Sequence, residues 1–231
     1  MNLMKILKSI IKKYFFINFF IKKVEAIIKK RRIYVLSKIP IFKIQKKNIS
    51  NLQTKLNRIE ILKDLNKHCI CAELGVAYGE FSDQILKIVE PKLLVLIDSY
   101  PNGGNFVDEG SLDHLQKKFS NHVKNKQVKI INRDSISSVS IFDKNYFDWI
   151  YIDTTHEYNQ TLKELRAWKD RIKNGGFIFG HDYVMGNWED AIKYGVKEAV
   201  HQFCVEENWE LVYLTAQIGE NTTFGIRKIN F

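Results

Sequence analysis

The sequence predicts a doubly wound α/β fold, a largely parallel sheet with helices on both faces, preceded by a basic helical arm. Three observations predict it. From Cys69 onward, short apolar runs alternate with stretches of helical periodicity, the pattern of parallel strands joined by crossover helices. The stretch Cys69–Ser82 passes from an apolar strand through a turn of Glu73, Gly75, Ala77 and Gly79 into a helix whose apolar stripe is Phe81, Ile85, Ile88 and Val89. Finally, five successive strands each finish at an acidic residue, which marks one sheet edge as the functional face.

The arm and linker span residues 1–50 and the domain residues 51–231. Residues 1–50 hold fourteen Lys and Arg against one acid, Glu25, a net charge of +13. The remaining 22 basic and 25 acidic residues leave the domain at −3. The positive charge is therefore a property of the arm, and the domain lacks the footprint of a nucleic-acid binder. Leu3, Leu7, Ile10, Tyr14, Ile17, Ile21, Val24 and Ile28 recur at helical spacing. No apolar run approaches the roughly 20 residues that span a bilayer, and no small-residue cleavage site follows one. Two readings stay open for residues 1–30. One is a peripheral membrane helix, with Phe15, Phe16, Phe19 and Phe20 at the lipid boundary and lysines on anionic headgroups. The other is a helix packed on its own domain or on a partner subunit, as in a homo-oligomer. Three cysteines, Cys69, Cys71 and Cys204, suggest no disulfide framework and fit a reducing, cytoplasmic compartment.

The elements follow in order. A short strand or loop is expected at Ile33–Leu36 and a helix at Leu52–Leu65. Seven strands are expected. The first begins at Cys69. Leu93–Ile97 ends at Asp98, Val128–Ile131 is followed by Asp134-Ser135, and Phe147–Ile152 ends at Asp153. Phe177–Phe179 ends in Gly180-His181-Asp182, and Leu211–Leu214 and Thr222–Ile229 form an antiparallel pair at the edge. Helices are expected at Leu112–Val123, at Tyr158–Ile172 closed by Asn174-Gly-Gly176, and at Asp190–Val205. The loop Tyr100–Gly110 and the segment Gly186-Asn-Trp188 are candidate lids. Tyr158, Tyr183 and Trp188 are either walls of an acceptor pocket or packing aromatics.

The turn after the first strand discriminates between cofactors. A dinucleotide pyrophosphate calls for three glycines, and here there are two, with Glu73 just before the turn. A carboxylate there repels a pyrophosphate but suits a cationic ligand such as a sulfonium. Asp98, nineteen residues after Gly79, suits a grip on a ribose diol. An NAD-dependent oxidoreductase is the alternative that Glu73 disfavours. A binding protein of the same fold, attached to a membrane and without catalysis, is the other.

Glu73-Leu-Gly75-Val-Ala77-Tyr-Gly79 resembles the first motif of the class I S-adenosylmethionine-dependent methyltransferases, with Ala77 at its middle glycine. That resemblance implies a Rossmann-like methyltransferase sheet. It also implies that Glu73, Gly75, Ala77, Tyr78, Gly79, Asp98, Ser99, Asp134 and Ser135 bind S-adenosylmethionine. Further on, Ile152-Asp-Thr-Thr-His-Glu-Tyr158, Trp168 and Lys173–Tyr183 are similar to a bacterial group that includes macrocin-type sugar O-methyltransferases. This second resemblance implies that Asp153 and Asp182 hold a divalent metal and that His156 is the base. It further implies a sugar or glycan hydroxyl, or a related small molecule, as acceptor. His181 stands where some members carry a carboxylate, so the metal-site set becomes Asp153, His181 and Asp182, for Mg²⁺ or Mn²⁺. With the arm read as peripheral, the enzyme would work at the inner membrane face.

Overall fold

A computed structural model describes residues 14, 17–30, 34, 38–99, 111–187, 192–216 and 221–229. The chain divides into two units, Met1–Pro40 and Ile41–Phe231. The arm therefore ends at Pro40 rather than at residue 50. The physical reason is Asn48, in the 3₁₀ turn Lys46–Ile49. Its buried side-chain amide donates to the carbonyls of Cys204 (3.0 Å) and Trp209 (2.7 Å), which ties residues 41–50 to the second unit. In the first unit residues 17–30 form helix α1. Of the short strand or loop expected at Ile33–Leu36, only Tyr34 lies among the described residues, and it is helical.

The second unit is built on an eight-stranded sheet, one strand more than expected. Its strands are β1 (Gln53–Lys55), β2 (Ile70–Leu74), β3 (Leu93–Asp98), β4 (Val128–Asn132), β5 (Phe147–Ile152), β6 (Ile172–Gly180), β9 (Trp209–Thr215) and β10 (Phe224–Lys228). The order is β1-β9-β10-β6-β5-β2-β3-β4. The pairs β2–β3, β2–β5, β3–β4 and β5–β6 are parallel, whereas β10 runs antiparallel to both β6 and β9. The extra strand comes from the expected helix at Leu52–Leu65. Residues 53–55 instead pair in parallel with Tyr213–Thr215, so the antiparallel pair does not form the sheet edge. Asn57 then caps helix α2 (Arg58–Asp64) by accepting from the Glu60 amide.

Helices α3 (Glu80–Val89), α4 (Ser111–Lys118), α5 (Ser120–Lys124), α6 (Ser135–Ser138), α7 (Tyr158–Trp168) and α8 (Val196–Glu207) complete the unit. Three bounds differ from expectation. The helix expected at Leu112–Val123 breaks at the buried Phe119 into α4 and α5. Helix α7 stops at Trp168 because a 3₁₀ turn, Lys169–Arg171, delivers Ile172 directly into β6. Helix α8 starts only at Val196, after a two-stranded ribbon of β7 (Gly186–Asn187) and β8 (Ile192–Lys193).

Strand periodicity divides the core in two. Ala72, Leu74, Val95 and Ile150 point toward a layer holding Leu165 and Trp168 of α7 and Val200 and Phe203 of α8. Cys69, Cys71, Leu94 and Leu96 point toward a layer holding Ile61 of α2, Phe81 and Ile85 of α3, and Leu115 of α4. All three cysteines are free and buried, packed as small apolar residues. The parallel strands share one carboxyl edge, where the acidic residues gather.

Candidate active site

The first half of that edge is the loop from Gly75 to Gly79. Three of its five residues are left-handed: Gly75 (φ +82°), Ala77 (φ +48°) and Gly79 (φ +72°). Gly75 is required by packing as well as by φ. A Cβ there would lie 1.9 Å from the Asp153 carbonyl oxygen. The Gly75 amide donates to the Ile97 carbonyl (2.9 Å), and the Asp153 amide to the Leu74 carbonyl (2.8 Å). Asp98 Oδ2 accepts from the amides of Val76 (2.7 Å) and Ala77 (3.1 Å). Lys118 Nζ donates to the carbonyls of Tyr78 (3.1 Å) and Gly79 (2.9 Å). The loop is thus clamped from both sides by opposite charges. Tyr78 lies edge-on to His114, and Ser99 is half-buried just beyond β3.

Glu73 does not stand on the surface. It shares the Cys71 face of β2, is 3% exposed, and accepts from Ser82 Oγ at 2.5 Å. Burial raises its pKa to about 8, against the Ser82 hydrogen bond and the Arg58 charge, so at neutral pH it is mostly a neutral carboxyl. Asp134 is the N-cap of α6, accepting from the amides of Ile136 (3.1 Å) and Ser137 (2.9 Å); the bond from the Ser137 hydroxyl lowers its pKa. Ser135 is buried and donates to Glu164 Oε1 at 2.5 Å. Glu164 also accepts from Thr154 (2.8 Å) and Gln160 (3.0 Å), so one buried carboxyl joins the segment after β4 to the segment after β5.

The second half of the edge brings four residues together. Asp153, His181 and Asp182 each offer a ligand atom, all within 4.8 Å of one another. His181 Nδ1 lies 3.4 Å from Asp182 Oδ2 and 3.9 Å from Asp153 Oδ2. His156 Nδ1 lies 2.5 Å from Asp182 Oδ2. His156 (φ +58°) and Asp182 (φ +59°) are both left-handed without being glycine, conformations that the surroundings must hold in place. Asp182 is only 2% exposed. Burial pushes its carboxyl up, but the hydrogen bonds from His156 and His181 outweigh burial and hold it well below the ordinary carboxylate range. Burial pulls His156 down, but the Asp182 bond and charge outweigh it and leave its pKa raised. Asp153 is raised, mainly by burial, against the attraction of His181. A recess at this cluster is lined by Ile152, Asp153, Thr154, His156, His181 and Val196.

Several contributors carry no local signal in the sequence. Asn221, in the segment before β10, donates its side-chain amide to Asp182 Oδ1. Gly195 donates its amide to the His156 carbonyl (2.8 Å), and a Cβ there would lie 2.4 Å from Tyr158. The Tyr194 ring lies 4.8 Å from that of His156. Tyr158 and Tyr183 turn their hydroxyls to Gln202 and His201 of α8, so their hydroxyls serve helix packing. Trp188, which closes the second candidate lid, and the candidate lid Tyr100–Gly110 lie outside the described residues.

Residues 72–183 match a family model for a methyltransferase domain, a span that takes in the glycine loop, Asp98, Asp134 and the whole histidine–aspartate cluster. Among solved structures, the chain is similar to Aeropyrum pernix fibrillarin with natively bound S-adenosylmethionine. That alignment has 12% identity, TM-score 0.54, and covers 73% of each chain. It is similar also to an S-adenosylmethionine-dependent methyltransferase from Aquifex aeolicus (14% identity, TM-score 0.54, 74% of this chain and 89% of that one). SMU.1697c from Streptococcus mutans, in complex with SAH, aligns at 14% identity and TM-score 0.53 over 74% of this chain and 96% of its own. No curated protein matches the sequence. At these identities the structural likeness establishes the fold, an α/β Rossmann-like methyltransferase fold. The matched model adds that residues 72–183 are similar to a methyltransferase domain.

Proposed function

We propose that this methyltransferase domain acts on a hydroxyl of a sugar or glycan, with a divalent cation held by Asp153, His181 and Asp182. One observation carries the reading: an Asp182–His156 pair stands beside a loop whose Gly75 packs on the Asp153 backbone. S-adenosylmethionine, when bound, supplies an electrophilic methyl on a sulfonium. An alcohol is a very weak acid, so its oxygen needs help in losing a proton as it attacks. The Asp182 carboxylate accepts from His156 Nδ1, which selects the tautomer that leaves Nε2 as the free base nitrogen. In this reading His156 Nε2 takes the proton that the acceptor hydroxyl gives up. The Gly195 amide and the left-handed backbone of His156 hold that ring in position. Asp98 and Lys118 keep the donor loop in shape, which favours a fixed position for the methyl donor.

The donor set fits a cation. Two carboxylates suit a hard divalent ion, and one imidazole shifts the preference from Mg²⁺ toward Mn²⁺. Such an ion would supply Lewis acidity at the acceptor oxygen. The test is a methyl-transfer screen over sugars, nucleotide sugars and glycans, with and without EDTA. Transfer to a hydroxyl that EDTA abolishes and Mn²⁺ restores is expected. Transfer that ignores EDTA would remove the cation, and transfer only to nitrogen acceptors would remove the hydroxyl.

A further inference from the structure

Helix α1 is the part of the molecule that this chemistry does not use. Its described residues separate into two faces. At 3.6 residues per turn, Tyr14, Ile17, Phe20, Ile21, Val24, Ile27 and Ile28 fall within an arc of roughly 140°. All seven are exposed, from 39% for Val24 to 70% for Phe20. The opposite arc carries Asn18, Lys22, Lys23, Glu25, Lys29 and Lys30. Phe19 belongs to this polar side, where Lys23 Nζ sits 4.9 Å from the centre of its ring. Phe20 is on the apolar face, and Phe15 and Phe16 lie outside the described residues. Among the described residues, no helix is long and apolar enough to cross a membrane.

We infer that α1 lies in the plane of an anionic membrane surface, with its apolar arc in the acyl boundary and its lysines at the headgroups. Charge selects this occupant over a second copy of the chain. A helix pair through the apolar arc would bring together two segments each carrying +13 over residues 1–50, with Glu25 the sole acid available to offset it. An anionic lipid surface supplies the missing negative charge and the apolar phase together.

The experiment is co-sedimentation of the full chain with phosphatidylcholine vesicles and with phosphatidylcholine–phosphatidylglycerol vesicles. The chain is expected to pellet with the second kind only, and to be released as salt rises. Ile21→Asp with Ile28→Asp should abolish pelleting. Lys22→Glu with Lys29→Glu should lower partitioning by ~100-fold. Both pairs lie outside the second unit, so retained S-adenosylmethionine binding certifies that the variants are folded. Three results overturn the inference. The first is no pelleting at low salt. The second is pelleting that survives Ile21→Asp/Ile28→Asp. The third is self-association in sedimentation velocity, dissolved by that variant, without vesicle binding.

Discussion

The two halves of the carboxyl edge are built by different means. On the β2–β3 side the main chain does the shaping. Left-handed residues set the course of the loop, and Asp98 and Lys118 bind its amides and carbonyls. On the β5–β6 side, side chains hold one another. His156, His181 and Asn221 converge on one buried carboxylate, Asp182. A loop held by its backbone tolerates side-chain changes and fails on a change of backbone. A cluster held by charge should do the reverse, keeping its fold and losing its chemistry when one charge is removed.

Gly75→Ala tests the backbone side and should have the largest effect. The new methyl meets a carbonyl oxygen at 1.9 Å in a conformation that L residues avoid, and only movement of the segment after β5 relieves it. A loss of ~4 kcal/mol or more in denaturant unfolding is expected. Gly175→Ala is the control, with a similar φ of +77° and nothing within 4 Å of the added atom. It should cost only about 1 kcal/mol. Equal losses in the two variants would remove the packing argument. Asp182→Asn tests the other side. The shape is kept and the charge facing His156 is lost. Methyl transfer should fall ~10²- to 10³-fold, with S-adenosylmethionine affinity little changed. A parallel collapse of cofactor binding would show that the two halves are not separable.

The same contrast explains what could be read in the sequence. Apolar runs and glycines act locally, so the strands from β2 to β6 and the loop from Gly75 to Gly79 were legible, as were the residue types at Asp153, His156, His181 and Asp182. Partners distant in the chain were not. Asn221 meets Asp182 across 39 positions and Lys118 meets Gly79 across 39. Neither sits in a motif. Strand β1 was missed because Gln53-Thr-Lys55 has no apolar signal and exists only through pairing with β9. Glu73 was visible as an acid, but its neutrality at pH 7 follows from burial under α3, which is a tertiary property.

Glu73 makes that last point measurable. Its folded value of about 8 lies above its ordinary 4.5, so the folded state keeps a proton that the unfolded chain has released. The stability it contributes is complete below pH 4.5 and is lost as pH rises through 8. Each tenfold difference in proton affinity is worth about 1.4 kcal/mol. Glu73→Gln removes the titration and keeps the shape. The difference in unfolding free energy between wild type and variant should therefore shift steadily toward the variant from pH 5 to pH 8. A difference that stays flat across this range would mean that Glu73 is ionised when folded, and the β2 side would then also be held by buried charge.

Ala77→Gly carries the smallest expected effect and separates two accounts of the loop. Ala77 adopts φ +48° although it carries a Cβ, a conformation that costs an L residue roughly 1 kcal/mol. Glycine relieves that strain but gives the unfolded chain more freedom, so the net gain should be at most ~1 kcal/mol. If the clamp of Asp98 and Lys118 sets the backbone, the variant should melt at or slightly above the wild-type temperature and bind S-adenosylmethionine with the same affinity. If instead the Ala77 methyl stiffens the loop before the ligand arrives, affinity should drop while the melting temperature holds. The loop would then owe its shape to a side chain after all, and the division between the two halves of the edge would blur.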